Sequence, residues 1–469
     1  MRSWVALGFV CMFSAGVSAQ REQPLPKELP AYGPEVALKS PKAETAKLGN
    51  GLTVWLVSTP GLPKIAIAVA VRGGLAADPK DLPGISELLS KTIDQGTKSQ
   101  TAREIAEQLQ AAGGDLSVDE GKDSITVSTS VLSSKAEPAL MVLVDVLQNA
   151  TFPDAEVSLA KRNLSDSLRE KESTPSFLAG RAMAKVLFGG STYAVTSATQ
   201  QSIEATTPGD LRKVYGERFR PDQAVLVAVG DFQTEEMLGL LKGKFGGWKA
   251  GTGPVAAVPA RFDTLPKHAV YLVQRPGSVQ TTLRLGTMGP LRSDPDFAAT
   301  QLANAIYGSM FSSRLVSNIR EDKGYTYSPG ASQSTYRGSG VLMTRADVRN
   351  EVTGASFNEI TYELNRMATT SPTEEELTKA KRFLIGIEAI RLQARASVAA
   401  ELSRLWVLGL PPEEIGEYGK KVGATTSADV DGAGRKYFPA TRTAVVAVGE
   451  EKVIREALAP LGVSVETAP

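Results

Sequence analysis

The chain repeats itself. Ala205-Thr206-Thr207 precedes Asp210, Phe219 and the apolar run Ala224–Gly230, while Ala424-Thr425-Thr426 precedes Asp429, Phe438 and Thr443–Gly449. Ala205 and Ala424 are 219 residues apart, and so are Gly230 and Gly449. Further upstream, Ala160-Lys161-Arg162 and Ala380-Lys381-Arg382 each follow an acidic helical stretch and are 220 residues apart. A period this long exceeds that of the solenoid repeats, and each copy has the size of a domain. The chain therefore reads as one domain made twice.

Local patterns agree between the copies. Leu52–Val57 and Ile65–Val71 are β-rich runs split by Pro60, Gly61 and Pro63, and Ser124–Leu132 alternates like a half-buried strand. Ser86–Ile93, Ala102–Ala112, Lys135–Gln148 and Asp154–Lys171 read as helices, and Ala224–Gly230 as a buried strand closing the copy. The second copy repeats this order from about Val270. It has strands at Thr281–Gly286, Gly340–Val348 and Thr443–Gly449, with helices starting near Asp294, Val352 and Thr373. Strands followed by runs of helices predict an α+β domain with a mostly antiparallel sheet, not a doubly wound parallel one. The expected organisation is a signal peptide (1–19), an N-terminal extension (20–40), a first domain (41–248), a Gly/Pro/Ala-rich linker (249–267) and a second domain (268–469).

The N-terminus carries Arg2, an apolar stretch from Trp4 to Phe13, and Val17-Ser18-Ala19. This pattern predicts secretory export with cleavage before Gln20, placing the mature protein in the periplasm or outside the cell. Cleavage removes Cys11, the only cysteine, so disulfides, thiolate metal sites and cysteine nucleophiles drop out. Basic and acidic residues number 52 and 51, and this balance argues against a nucleic-acid partner. No later apolar run is long enough to span a bilayer.

Three stretches carry a family likeness. The first runs from Arg72-Gly73-Gly74 through Gly84-Ile85-Ser86-Glu87-Leu88-Leu89 to Gly96-Thr97. The second runs from Leu211-Arg212-Lys213-Val214-Tyr215 through Phe219-Arg220-Pro221-Asp222 to Val229-Gly230-Asp231. The third comprises Ser312-Ser313-Arg314-Leu315, Ile319-Arg320-Glu321, Gly324 and Tyr327. In this order, on a duplication, the chain resembles the pitrilysin/insulinase-type metallopeptidases, most closely the short bacterial members related to mitochondrial processing peptidase. The likeness spans roughly residues 40 to 460.

That family binds zinc with an inverted His-x-x-Glu-His motif on a helix, the two His lying on one face and the Glu activating metal-bound water. Here the resemblance puts Glu87, Ser90 and Lys91 at those positions, and the third-ligand position falls near Ala160, which has no carboxylate. No zinc is expected on this chain. Glu87 and Lys91, spaced i, i+4, are expected to form a helix-stabilising ion pair. His268, the only histidine, lies beside the linker and is expected to be structural or exposed. Asp115, Asp119, Glu120 and Asp123 lack calcium-ligand spacing and read as a solvated hairpin rim.

The second copy keeps more. The resemblance implies that Arg320 and Tyr327, seven residues apart, hold a substrate carbonyl and stabilise its oxyanion, with Tyr325 as the alternative counterpart. Ser313 and Arg314 are expected to shape the start of a helix. Some members of the family split the zinc site and the Arg/Tyr pair between two chains. The likeness thus implies a non-catalytic, substrate-binding subunit, paired as a heterodimer with a zinc-binding paralogous subunit and cleaving peptides or unfolded protein. The alternative is a non-enzymatic peptide-binding or scaffold subunit of the same fold. Unrelated chemistry has no support: the sequence lacks a Gly-x-Ser-x-Gly elbow, a phosphate loop and a convincing Ser-Lys pair.

Overall fold

The computed structural model describes residues 40–251 and 260–469. The expected signal peptide, nearly all of the N-terminal extension and the middle of the linker lie outside the described residues.

The first copy contributes β1 (Glu44–Lys47), β2 (Thr53–Ser58), β3 (Lys64–Arg72), β4 (Leu116–Glu120), β5 (Ser124–Leu132) and β6 (Ala224–Gly230). Its helices are α1 (Ile85–Thr92), α2 (Ala102–Ala111), α3 (Ala136–Asn149), α4 (Asp154–Glu172), α5 (Pro175–Phe188), α6 (Gln200–Ala205), α7 (Pro208–Arg218) and α8 (Thr234–Phe245). The second copy contributes β7 (Val270–Gln274), β8 (Gln280–Gly289), β9 (Gly330–Thr335), β10 (Gly340–Arg349), β11 (Ala444–Gly449) and β12 (Val465–Thr467). With them come α9 (Phe297–Asn304), α10 (Arg314–Val316), α11 (Thr353–Thr369), α12 (Glu374–Arg391), α13 (Arg395–Val407), α14 (Glu414–Ala424), α15 (Ser427–Tyr437) and α16 (Glu451–Leu458).

Each copy builds a six-stranded sheet, ordered β1-β2-β6-β3-β5-β4 and β12-β7-β11-β8-β10-β9. The closing strand lies at equivalent places in both. β6 runs parallel to β2 and antiparallel to β3, and β11 does the same with β7 and β8. The sixth strand is where the copies part. It is the leading strand β1, antiparallel to β2, in one sheet and the trailing strand β12, parallel to β7, in the other. The fold is thus α+β and duplicated.

Both faces of each sheet are buried along the central strands β3, β6, β8 and β11, as continuous apolar strands demand. On β3, Ile65, Ile67, Val69 and Val71 face the helices of their own copy. The alternate residues Ala66, Ala68 and Ala70 face α13 of the other copy, packing with Val398, Leu402 and Leu405. The exchange is reciprocal: α5 of the first copy packs Ala179, Met183 and Leu187 against Ala444, Val446 and Val448 on the second sheet. Small residues on the sheets let these helices approach closely. A Cβ at Gly286 on β8 would stand 2.8 Å from the Met183 sulfur.

Polar contacts reinforce the exchange. The Arg72 guanidinium lies 4.0 Å from the Trp406 ring centroid, and Arg395 donates to Thr59 O at 2.6 Å. The Asp123 carboxylate accepts both the Tyr193 hydroxyl and the Arg337 N–H at 2.8 Å, tying the β4–β5 turn to the β9–β10 turn. This corrects the expectation of a solvated acidic rim. Asp115 and Asp119 are not buried, but Asp123 is an interior acceptor between the copies and Glu120 accepts from a helix. A carboxylate within reach of buried N–H and O–H donors replaces water with stronger, fixed partners.

Candidate functional site

The helix carrying the degenerate motif is held rigidly at its start. Gly84 has φ 82°, and a Cβ there would lie 2.1 Å from Ala198 Cα. The buried Asp78 carboxylate accepts the Gly84 N–H at 2.9 Å and the Ser86 hydroxyl at 2.5 Å, and pairs with Arg218 at 3.0 Å. The loop at Ala198 is thereby pressed against the first turn of α1.

Glu87 lies just inside this contact. Its carboxylate is buried and accepts the Ala198 N–H at 2.7 Å, with the Lys171 ammonium 4.0 Å away. Burial raises its pKa, against the opposing pull of the Ala198 N–H and Lys171. Ser90 donates to Glu120 Oε2 at 2.6 Å, joining α1 to the edge strand β4. Lys91 alone on α1 is exposed. The expected Glu87–Lys91 ion pair is not formed, because Glu87 turns inward to the Ala198 N–H instead. A surface i, i+4 pair is worth only about 0.2–0.5 kcal/mol, whereas a buried N–H left without an acceptor costs about 1–3 kcal/mol.

Glu87, Lys91, Glu120, Glu156, Ala160 and Lys171 line one cavity of about 360 Å³. The fold therefore gathers Glu87 and Lys91 together with Ala160, and the donor set does not fit zinc. Two lysines stand where a cation would need ligands, and the Glu87 carboxylate is committed to a backbone N–H. Among the described residues, no group of three or more His, Cys, Asp or Glu is disposed to hold a metal ion. His268 is exposed, with Nδ1 2.8 Å from Thr443 O.

The second copy is less regular at the corresponding place. After α9 the chain widens into two π-helical turns, Ala305–Ser309 and Ser317–Asp322, separated by α10. Such turns interrupt α-helices often at functional sites, since the extra residue re-aims side chains. The sequence pattern predicts helix here but not this widening. As expected, Ser313 caps α10, accepting the Val316 N–H at 3.4 Å. The buried Arg314 reaches further and pairs with Glu376 at 2.7 Å, holding the start of α12. That bond drives the Glu376 carboxyl down to about 2.

Arg320 stands on the second π turn. Gly324, with φ 61°, then reverses the chain, and the Tyr325 N–H donates to Ile319 O at 2.9 Å. The Thr326 hydroxyl donates to Asp347 O at 2.7 Å. These bonds bring Tyr327 back beside Arg320, whose guanidinium carbon lies 4.9 Å from the Tyr327 ring centroid. Phe311, which no pattern in the sequence singled out, lies 4.6 Å from the same carbon. Arg320 Nε pairs with Glu321 at 3.0 Å. Gln280, Arg320, Tyr325, Tyr327 and Arg349 share an open groove of about 690 Å³, in which Tyr327 is 81% exposed. Arg320 and Tyr327 are thus neighbours, and Tyr325 lines the same groove.

Residues 53–194 match the model of the insulinase (peptidase family M16) domain, and residues 205–384 match that of the peptidase M16 inactive domain. The chain belongs to the M16 insulinase family. An uncharacterized zinc protease of Rickettsia felis is 25% identical over 415 residues, covering 86% of this chain and 96% of that one. A Helicobacter pylori protein named as a non-peptidase homolog is 25% identical over 356 residues, covering 75% of this chain and 81% of its own. The crystal structure of a peptidase M16 inactive domain from Pseudomonas fluorescens shares the fold, with a TM-score of 0.82 at 24% identity over 91% of this chain and all of that one. Within this M16 chain the two candidate regions are chemically opposite. The motif helix of the first copy is closed by internal bonds, whereas the Arg320 groove of the second is open.

Proposed function

We propose that this chain is the substrate-holding, non-zinc-binding subunit of a heterodimeric zinc metallopeptidase that cleaves peptides or unfolded protein in the periplasm. The observation that carries this reading is the adjacency of Arg320 and Tyr327 in an open groove, in a chain whose Glu87, Ser90 and Lys91 do not fit zinc. The name of the Helicobacter pylori relative as a non-peptidase homolog agrees with a chain inactive alone. A paralogous partner chain supplies the zinc. This chain supplies donors: a guanidinium and a phenolic hydroxyl that grip the carbonyl under attack, where an enclosed site makes such donors strong. The substrate lies extended and pairs with an open sheet edge. β4 offers one, leading through Glu120 to Ser90 of α1.

The test mixes the purified chain with a zinc-motif paralogue from the same genome and follows cleavage of fluorescein-labelled casein. Activity is expected only from the mixture, and Tyr327→Phe is expected to lower turnover about 100- to 1000-fold. A partner fully active alone, and indifferent to this chain, ends the two-subunit reading. An unchanged rate with Tyr327→Phe in an active mixture favours a scaffold subunit instead.

A further inference from the structure

We infer that Phe311 is a positioning residue for Arg320: it fixes the direction in which the guanidinium meets the substrate. This rests on the substrate-holding reading above and assigns a residue to that site. Phe311 is 66% exposed, so its ring does not serve the hydrophobic core. Its ring lies 4.6 Å from the Arg320 guanidinium carbon, and the Tyr327 ring lies 4.9 Å from it. Both distances are within the range of a cation–π contact. Arg320 is held at a third point by Glu321, which takes Nε at 3.0 Å. With Nε engaged and rings against the guanidinium, the two Nη groups remain for a ligand.

The need for such a clamp follows from Arg320's place in the chain. A long arginine side chain loses rotamer freedom on ordering, and Arg320 sits on a π turn beside an open groove. The lone carboxylate of Glu321, itself 52% exposed, fixes one atom and not a plane. Two rings within cation–π distance of the guanidinium restrict the swing of the whole group, as a two-donor grip on an oxygen requires. Phe311 can do this because it precedes the Ser313 cap of α10, and the turn from Met310 to Ser313 is closed by a Ser313 N–H to Met310 O bond of 3.1 Å. The cap and Arg320 are joined by the short α10 and the π turn, so the ring and the cation keep a set separation.

The experiment uses the full chain labelled with 15N at arginine Nε. The Arg320 signal is assigned by its loss in Arg320→Lys. In the native chain that signal and the attached Cδ protons are expected to be displaced by ring currents. Phe311→Ala is expected to move them toward free-arginine positions, and Phe311→Tyr is expected to restore them. In the partnered enzyme Phe311→Ala is expected to lower turnover of fluorescein-labelled casein about two- to fivefold, with Phe311→Tyr near native. An Arg320 signal that does not move in Phe311→Ala overturns the assignment, as does a Phe311→Tyr variant that folds but fails to restore it. If the signal responds as expected while no mixture with a zinc-motif partner cleaves casein, the substrate-holding reading fails and the geometry of the clamp stands.

Discussion

The two copies use equivalent helices for different purposes. At the 220-residue offset, Asn163, Ser167 and Glu170 of α4 correspond to Phe383, Ile387 and Ile390 of α12. Asn163 and Ser167 line the polar cavity beside Glu87. Phe383 is partly buried against the second core, while Ile387 and Ile390 are 48% and 70% exposed. The preceding helices differ in the same sense. α1 is a regular helix whose Glu87 and Ser90 are absorbed by Ala198, Lys171 and Glu120. Its counterpart α9 gives way to π turns that present Arg320 at an open groove. A duplicated fold can thus turn one site into internal scaffolding while the other stays exposed and irregular, because the sheets and their registers do not depend on either site.

Four measurements test this contrast between the copies. The largest effect is expected at the exchanged helices. Leu402→Ala and Met183→Ala each empty a fully buried position under the opposite sheet, at a cost of about 2–5 kcal/mol. Calorimetry should show one transition shifted down in each case. Two transitions, with one left in place, would mean that the copies melt separately. Next, Glu87→Leu removes the acceptor of the Ala198 N–H and should destabilise by about 1–3 kcal/mol in urea titrations. A smaller loss would return Glu87 to the surface role that sequence alone suggested.

A third, smaller effect is expected at Glu376. Its carboxyl is lowered from 4.5 to about 2 by Arg314, so its contribution to stability is complete above the ordinary value. That contribution is lost as pH falls from about 4.5 toward 2. Glu376→Gln should flatten this acid limb and cost about 1 kcal/mol at neutral pH. The smallest effect is expected at Lys91. Exposed and without an ion pair to Glu87, it should change stability by less than about 0.5 kcal/mol when replaced by alanine. A loss matching that of Glu87→Leu would revive the Glu87–Lys91 pair.

Much of this is legible in the sequence, for reasons that vary with the residue. β5 and β6 fall at Ser124–Leu132 and Ala224–Gly230, as their alternation and unbroken apolar runs indicate. Arg320 and Tyr327 could be paired because their spacing survives in the chain, and the structure does bring them together. Phe311 escaped because an exposed aromatic breaks no periodic pattern. Asp123 departs from the solvated rim: a carboxylate in a polar turn looks the same whether water or a distant Tyr193 and Arg337 satisfies it. The Glu87–Lys91 pair does not form: i, i+4 spacing shows that two groups can meet, not whether a stronger donor elsewhere competes.

From residue order alone come the duplication, the α+β class and the loss of both motif histidines on α1. These depend on which residues are present and on local periods of two and 3.6 residues. That α5 and α13 cross to the opposite sheets, and that Glu87 is taken by the Ala198 N–H, emerges only once the chain is packed. So does the meeting of Arg320 with two aromatic rings at an open groove. The physical reason is that burial of apolar surface carries no direction. A strand apolar on both faces requires a cover on each, and any apolar helix of suitable size satisfies that requirement until the whole chain is packed.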